Sequence, residues 1–255
     1  WTFGLLLNEG ISLREKLTLF WHNHFPIEAV FDPRYRYRYI TLLRRHAWGD
    51  FRQLTKDITI DPAMLFYLNG NQNTKEAPNE NYARELLELF TIGKGAPAGP
   101  GDYTTFTEQD VKAIARVLTG WKDVGYRDKS TDGKIGVEFR AWEHDPGAKQ
   151  LSHRFGEANI PDLGDREYAH LIDLIFEQAE VARFICRKLY RWFVYYHIDE
   201  EIESSVIEPM AQLLLQHDYQ IKPALSALLL SQHFFDSLFS GAMIKNPVDY
   251  VMSTV

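Results

Sequence analysis

Between positions 121 and 161 the chain carries Gly125, Gly133, Gly136, Gly147 and Gly156, while the stretches on either side are written in a helical period. Glycine inside a helix costs about 1 kcal/mol relative to alanine, so no continuous helix is expected across that stretch. Val137, Phe139 and Ala141 alternate with Glu138 and Arg140, the period of a strand with one apolar face. The pattern predicts a short hairpin or irregular excursion set into a helical body.

The flanking segments carry helix punctuation. Ser12 with Glu15 forms a capping-box pattern ahead of Leu17, Phe20 and Trp21, and Pro26 ends that segment. Residues 35–48 read as a second helix, with Leu42, Leu43 and Ala47 on one face, Arg36, Arg44 and Arg45 outward, and Gly49 closing it. Residues 51–60 form a shorter helix, and Asp61-Pro62 opens another turn. The Asn-rich 69–78 stretch is a loop, followed by a strong helix from Asn79 or Glu80 through Phe90, ended by Gly93. Its apolar set is Tyr82, Leu86, Leu89 and Phe90. After a loop over 94–101, Thr107 with Asp110 caps a helix that runs to Leu118 and stops at Gly120. Helices are expected again over 168–177, 181–196, 200–217 and 221–235, with Pro209 kinking or dividing its segment. The expectation is therefore a mostly α protein: one multi-helix, orthogonal bundle-like domain over 1–255 with a loop-rich excursion at 121–161.

Composition narrows the class. The 255 residues are 45% apolar and 14% aromatic, enough for a sizeable core. A net charge of -7 argues against general nucleic-acid binding, which depends on neutralising phosphates. Cys186 is the one cysteine, so no internal disulfide forms, and its helical apolar setting reads as a small buried side chain. No apolar run is long enough to cross a bilayer and no signal peptide is visible. A chain that starts at Trp1 and stops at Val255 within a helical run reads as part of a longer protein.

Three polar clusters are candidates for chemistry. The first is the run from Phe20 to Phe25, in which His22 and His24 sit among aromatics. Neighbours two apart on a helix point roughly 200° apart, so both histidines reach one metal only if the helix unwinds before Pro26. One buried, hydrogen-bonded histidine and one at the surface is the plainer alternative. The second cluster lies on the 79–90 helix, where Glu80, Arg84 and Glu88 share a face and Asn81, Glu85 and Glu88 share an adjoining one. A solvated face laced with ion pairs is the ordinary reading of such a run. The third cluster is His144-Asp145-Pro146-Gly147-Ala148-Lys149, on a loop-rich segment of the kind that often carries function, although Asp-Pro-Gly is commonly a turn. The alternation Arg34-Tyr35-Arg36-Tyr37-Arg38-Tyr39 reads as part core, part solvated surface, with a partner surface or carbohydrate platform as the alternative. No zincin motif, P-loop, Rossmann fingerprint, serine elbow or haem-attachment motif is present.

Together these stretches resemble the bacterial family catalogued as domain of unknown function 1800. The resemblance is carried by residues 13–25, by Asn79 through Gly93, and by Thr107-Glu108-Gln109-Asp110-Val111 with Arg116 and Thr119-Gly120-Trp121. His144-Asp145 with Lys149, Ala182-Arg183-Phe184-Ile185 and Arg187-Lys188-Leu189 complete it. The chain departs from the pattern in a longer 95–102 loop and in Ser152-His153-Arg154 ahead of Phe155-Gly156. The resemblance implies a mostly helical, exported bacterial protein of the periplasm or cell envelope. It also implies a co-encoded sulfatase-like or phosphatase-like partner.

Two functional expectations follow. In the first the chain is a hydrolase acting on an envelope sugar or anionic ester. His22, His24, Arg84, Glu85, Asp110, His144 and Asp145 would converge on one pocket. Arg84 would hold an anionic group, and Glu85 or Glu88 would act as base or ligand. A divalent metal, if used, would be held by His22, His24, Glu85 and Glu88. In the second the same residues form a buried polar network in a non-catalytic binding or assembly module for the co-encoded partner. Geometry separates the two: a satisfied network leaves no spare donors, whereas an active site keeps some.

Overall fold

The computed structural model describes residues 2–8, 12–128, 133–241 and 243–252; Trp1, Val255 and the tip of the central excursion at 129–132 lie outside the described residues. The protein is mostly α, with short two-stranded hairpins. The helices are α1 (Thr2–Asn8), α2 (Leu13–His24), α3 (Pro33–Arg45), α4 (Phe51–Thr59), α5 (Pro62–Tyr67) and α6 (Asn81–Glu85). They continue with α7 (Glu108–Val117), α8 (Glu167–Phe176), α9 (Ala179–Phe193), α10 (Glu200–Ile202), α11 (Glu208–Gln216), α12 (Ile221–Leu229) and α13 (Pro247–Met252). Among the described residues no helix is long and apolar enough to cross a membrane.

Two helical runs contain a π turn. The first follows α6 directly, over Leu86–Thr91, where the Ile92 amide reaches back to the Leu87 carbonyl at 3.2 Å. A π turn widens the helix beyond 3.6 residues per turn. The buried set becomes Tyr82, Ala83, Leu86, Leu87, Phe90 and Thr91, and Leu89, expected inside, is 49% exposed. The second π turn, Glu203–Ile207, joins α10 to α11. Pro209 has no N–H to give the carbonyl one turn back, and the widened turn just before it absorbs that loss. The segment expected to kink or divide at Pro209 is divided there by the π turn and continues as α11.

The chain's packing divides into two compact units. One comprises Trp1–Asn23, Leu43–Phe51 and Ala182–Val255. Its core is aromatic: Trp21 stacks on Phe51 with ring centroids 5.5 Å apart, and Phe20 meets Trp192 edge-on at 5.7 Å. The Trp21 indole N–H donates to the Ala47 carbonyl at 3.2 Å, which satisfies its polar edge inside the core. Glu15, expected in a capping box, turns instead to Arg44, whose Nε donates to it at 2.6 Å.

The other unit comprises His24–Leu42 and Arg52–Val181. The excursion folds here as a hairpin of β1 (Trp121–Val124) and β2 (Gly136–Phe139), antiparallel, with Trp121 opposite Phe139. Further two-stranded hairpins occupy Pro97–Gly99 with Asp102–Tyr103, and Lys149–Gln150 with Asn159–Ile160. At its centre lies α7, with Asp110, Val111, Ala113, Ile114, Ala115 and Val117 all buried. The predicted cap is present: the Thr107 side chain takes the Asp110 amide, and the Thr107 amide donates to Asp110 Oδ2 at 2.7 Å.

Candidate functional site

Helix α7 is the axis along which the second unit's polar groups are arranged. At its first turn, Glu108 holds Arg84 bidentately, at 2.8 and 2.7 Å. In the same turn, Asp110 is fully buried and takes the Ser152 amide at 2.7 Å and the Ser152 hydroxyl at 2.6 Å. Near its end, Arg116 Nε donates to Asp145 at 2.6 Å. Just past it, the Thr119 carbonyl faces His144 Nδ1 at 2.9 Å. At 1.5 Å per residue, Glu108 and Thr119 lie about 16 Å apart along the axis. The residues expected in one pocket are therefore strung along a helix, each with its own partners.

The densest cluster is around His144. Glu167, in the first turn of α8, and Lys149 are both 0% exposed, with Lys149 Nζ donating to the two Glu167 oxygens at 2.9 and 2.6 Å. The third Lys149 donor goes to the Asp145 carbonyl. His144 Nε2 meets Glu167 Oε1 at 3.1 Å, and the Leu163 amide donates to the same oxygen at 3.2 Å. Burial alone would lower the His144 pKa, but hydrogen bonds to Glu167 and to the Thr119 carbonyl, with the Glu167 charge, outweigh it and raise the value. Nδ1 faces the Thr119 carbonyl and hydroxyl and Nε2 faces a carboxylate, a setting that favours the protonated ring.

His144, Asp162 and Glu167 bring a metal-ligand atom each to within 4.8 Å of one another. The donor set nevertheless does not suit a divalent ion. Lys149 already occupies both oxygens of Glu167, and a cation placed there would meet an ammonium at contact distance. His144 Nε2 is likewise already engaged with the Glu167 carboxylate.

The first two sequence clusters meet, but not as a ligand set. Helix α2 continues through His24, so His22 and His24 leave it on different sides. His24 is buried, and its Nε2 lies 3.0 Å from the Phe90 carbonyl, one of the carbonyls that a helix end leaves unpaired. The nitrogen therefore acts as a donor there, not as a metal ligand. Burial pushes the His22 imidazole below its usual pKa. Glu88 is within ion-pair reach of Lys94, at 3.0 Å, and of Arg84, at 3.7 Å. Among the described residues His22, His24, Glu85 and Glu88 do not converge as a ligand cluster. Arg84, expected to clamp an anionic substrate, is committed to Glu108, whose carboxyl is held below its usual range by that guanidinium. Asp145 is likewise held low by Arg116. Glu85 is the exception, since partial burial, with the Glu88 charge beside it, raises its carboxyl above the ordinary range.

Glu167 and Thr119 complete the His144 centre, and neither stands out as a site residue from sequence. A glutamate in a helix's first turn is common because it complements the helix dipole, so position alone gives it no distinction.

This architecture is that of a helical protein with one buried ion-paired centre, Glu167 with Lys149 and His144, and partly exposed ion pairs along α7. Its family follows from comparison with known proteins. The model of the family described as "Protein of unknown function (DUF1800)" matches residues 1–255, and the chain belongs to that family. Neither the curated proteins nor the solved structures include a match to it.

Proposed function

We propose that the chain is a non-catalytic binding and assembly module of the bacterial cell envelope, serving a co-encoded sulfatase-like or phosphatase-like protein. The observation that supports this reading best is the saturation of the His144 centre. All three Lys149 donors, both Glu167 oxygens and both His144 nitrogens find partners within the protein. A catalytic centre keeps groups poised for substrate, whereas a closed network fixes packing. Asp110 and Arg84 are engaged in the same way, by Ser152 and by Glu108.

Co-expression with the product of the neighbouring sulfatase-like gene tests this reading. Light scattering after size exclusion is expected to find a stable complex. The purified chain is expected to leave p-nitrophenyl sulfate, phosphate and glycosides intact.

One observation favours a second reading. Glu85 keeps its proton more tightly than an ordinary carboxyl and stands beside Glu88. A carboxyl of raised proton affinity with a second carboxyl close by is an arrangement that an acid–base hydrolase of an envelope sugar or ester uses. Absence of a complex, together with turnover that disappears in Glu85→Gln, would establish that reading instead.

A further inference from the structure

Phe31 lies between two buried residues, Val30 at 1% and Asp32 at 3% exposure, yet its own ring is 62% exposed. The backbone beneath it is clamped. The Phe31 amide donates to the Tyr126 hydroxyl at 3.0 Å. The Asp32 carboxylate takes the Arg127 amide at 2.8 Å and the Arg34 guanidinium at 2.6 Å. Tyr126 is itself stacked on Phe66, ring centroids 4.0 Å apart. An apolar ring held in water on so fixed a support contributes little burial to the fold. It is preorganised for a partner, because little ordering entropy remains to be lost on binding.

Two guanidiniums flank that ring. Arg36 and Arg127 lie 5.9 and 5.6 Å from its centroid. Both side chains are exposed; Arg36 Nε donates to the Val30 carbonyl, and among the described residues no carboxylate forms an ion pair with either guanidinium. Arginine with an aromatic ring is the composition of interface hot spots. The feature projects outward, and small molecules prefer concave sites. Nucleic acid is disfavoured by the chain's net charge of -7.

The other compact unit carries a feature of the opposite kind. A cleft of about 620 Å³ is lined by Ile198, Asp199, Glu200, Glu203, Ser204 and Glu208. Glu203 and Glu208 are matched by Arg187 and Arg183. Among the described residues Asp199 and Glu200 have no cationic partner, and the Asp199 carboxylate accepts the Ile202 amide at 2.8 Å. The cleft therefore presents two uncompensated carboxylates beside an apolar side chain, and its volume is ample for one aromatic ring with its flanking guanidiniums.

We infer that the Phe31–Arg36–Arg127 projection of one molecule seats in the Asp199–Glu200 cleft of a second copy of this chain. The argument is charge complementarity: two unmatched arginines around a ring meet two unmatched carboxylates around a hollow. Because the two surfaces are different patches, the contact is heterologous. It propagates head to tail, into a ring or an open chain, and does not stop at a two-fold dimer. The inference uses neither the His144 centre nor the co-encoded partner, so it stands or falls separately from the reading above.

Sedimentation velocity between about 1 and 200 µM, at low and at 0.5 M salt, tests it. Wild-type protein is expected to form species beyond dimer at low salt and to revert to monomer at high salt. Phe31→Ala, Arg36→Glu with Arg127→Glu, and Glu200→Arg are each expected to weaken association at least tenfold, with far-ultraviolet circular dichroism unchanged. The decisive arm mixes the Arg36→Glu/Arg127→Glu protein with the Glu200→Arg protein. One retains an intact cleft and the other an intact projection, so the mixture is expected to form a 1:1 dimer that grows no further. Wild-type protein that stays monomeric, association indifferent to these variants, or a mixture that remains monomeric would each overturn the inference.

Discussion

Two carboxylates of one compact unit are buried to nearly the same depth and are treated very differently. Glu167 is 0% exposed, and Asp61 is 2% exposed. Glu167 receives both an ammonium and an imidazole, as well as a backbone amide. Asp61, ahead of α5, accepts the Ala63 amide through Oδ1 at 2.8 Å, but Oδ2 has no hydrogen bond, and the Arg38 Nε is 3.6 Å away. Burial pushes the Asp61 carboxyl up to about 6. Depth alone does not decide what a buried acid does to stability. The number and charge of its partners decide it.

The sharpest test of the contrast removes one partner of the saturated centre. Lys149→Met leaves the buried Glu167 with His144 as its remaining cationic partner, and Glu167→Gln leaves both Lys149 and His144 without a carboxylate. Breaking a buried pair from one side costs about 3–5 kcal/mol. Both single variants are expected to lose up to that much in urea denaturation, Glu167→Gln the more. The double variant Lys149→Met/Glu167→Leu is expected to recover most of it, because without Glu167 to hold its proton His144 returns to the neutral ring and no lone charge remains. Single variants within about 1 kcal/mol of wild type would mean that water reaches the centre and that its closure is only apparent.

Asp61 carries the opposite sign and a smaller effect. Its folded pKa of about 6 lies above the ordinary 3.8. Below about pH 4 the group is protonated in both states and costs nothing. As pH rises, the unfolded chain ionises freely while the native protein resists, so stability falls until the native carboxyl has ionised too. Roughly two pKa units correspond to about 3 kcal/mol. Asp61→Ser keeps a cap oxygen for the Ala63 amide and removes the unmatched one. Relative to wild type, this variant is expected to gain about 3 kcal/mol between pH 4 and pH 8, read from urea midpoints at each pH. Using the difference between the two pH values cancels any packing cost of the smaller side chain. A constant difference across that range would mean that Asp61 ionises normally.

The same contrast explains what was legible in the sequence. Helix ends were readable where a side chain or a backbone restriction encodes them. The Thr107–Asp110 cap and the stops at Gly93 and Gly120 are local chemistry. The strand alternation at Val137 and Phe139 likewise gave the hairpin. The π turns were not legible, because the apolar residues of 82–90 fit an α-helical face almost as well. Only tertiary packing chooses Leu87 over Leu89 for the interior. The candidate residues stand out in the sequence as polar clusters, but which partners each one meets is not encoded locally. Glu108, Asp110 and Arg116, with Thr119 just past the helix end, meet separate partners because α7 spaces them along its length. Glu167 gave no signal, since its importance comes from Lys149, 18 positions earlier.

Arg84 sets the lower bound of the comparison. It makes more ionic contacts than Lys149: two hydrogen bonds to Glu108, one to Glu80 and an approach to Glu88. By count of contacts it should matter more. Yet its side chain is 32% exposed, and Glu80 and Glu108 are 39% and 33% exposed. Water solvates these charges when the partner is removed, and salt screens them when it is present. Arg84→Ala is therefore expected to cost under about 1 kcal/mol, less again at 0.5 M salt, whereas the cost of Lys149→Met is expected to be nearly independent of salt. Urea denaturation of both variants at two salt concentrations reads the difference directly. A loss above about 2 kcal/mol for Arg84→Ala, insensitive to salt, would show that the Glu80–Glu108 surface excludes water as the His144 centre does. Solvent access would then no longer distinguish the two clusters.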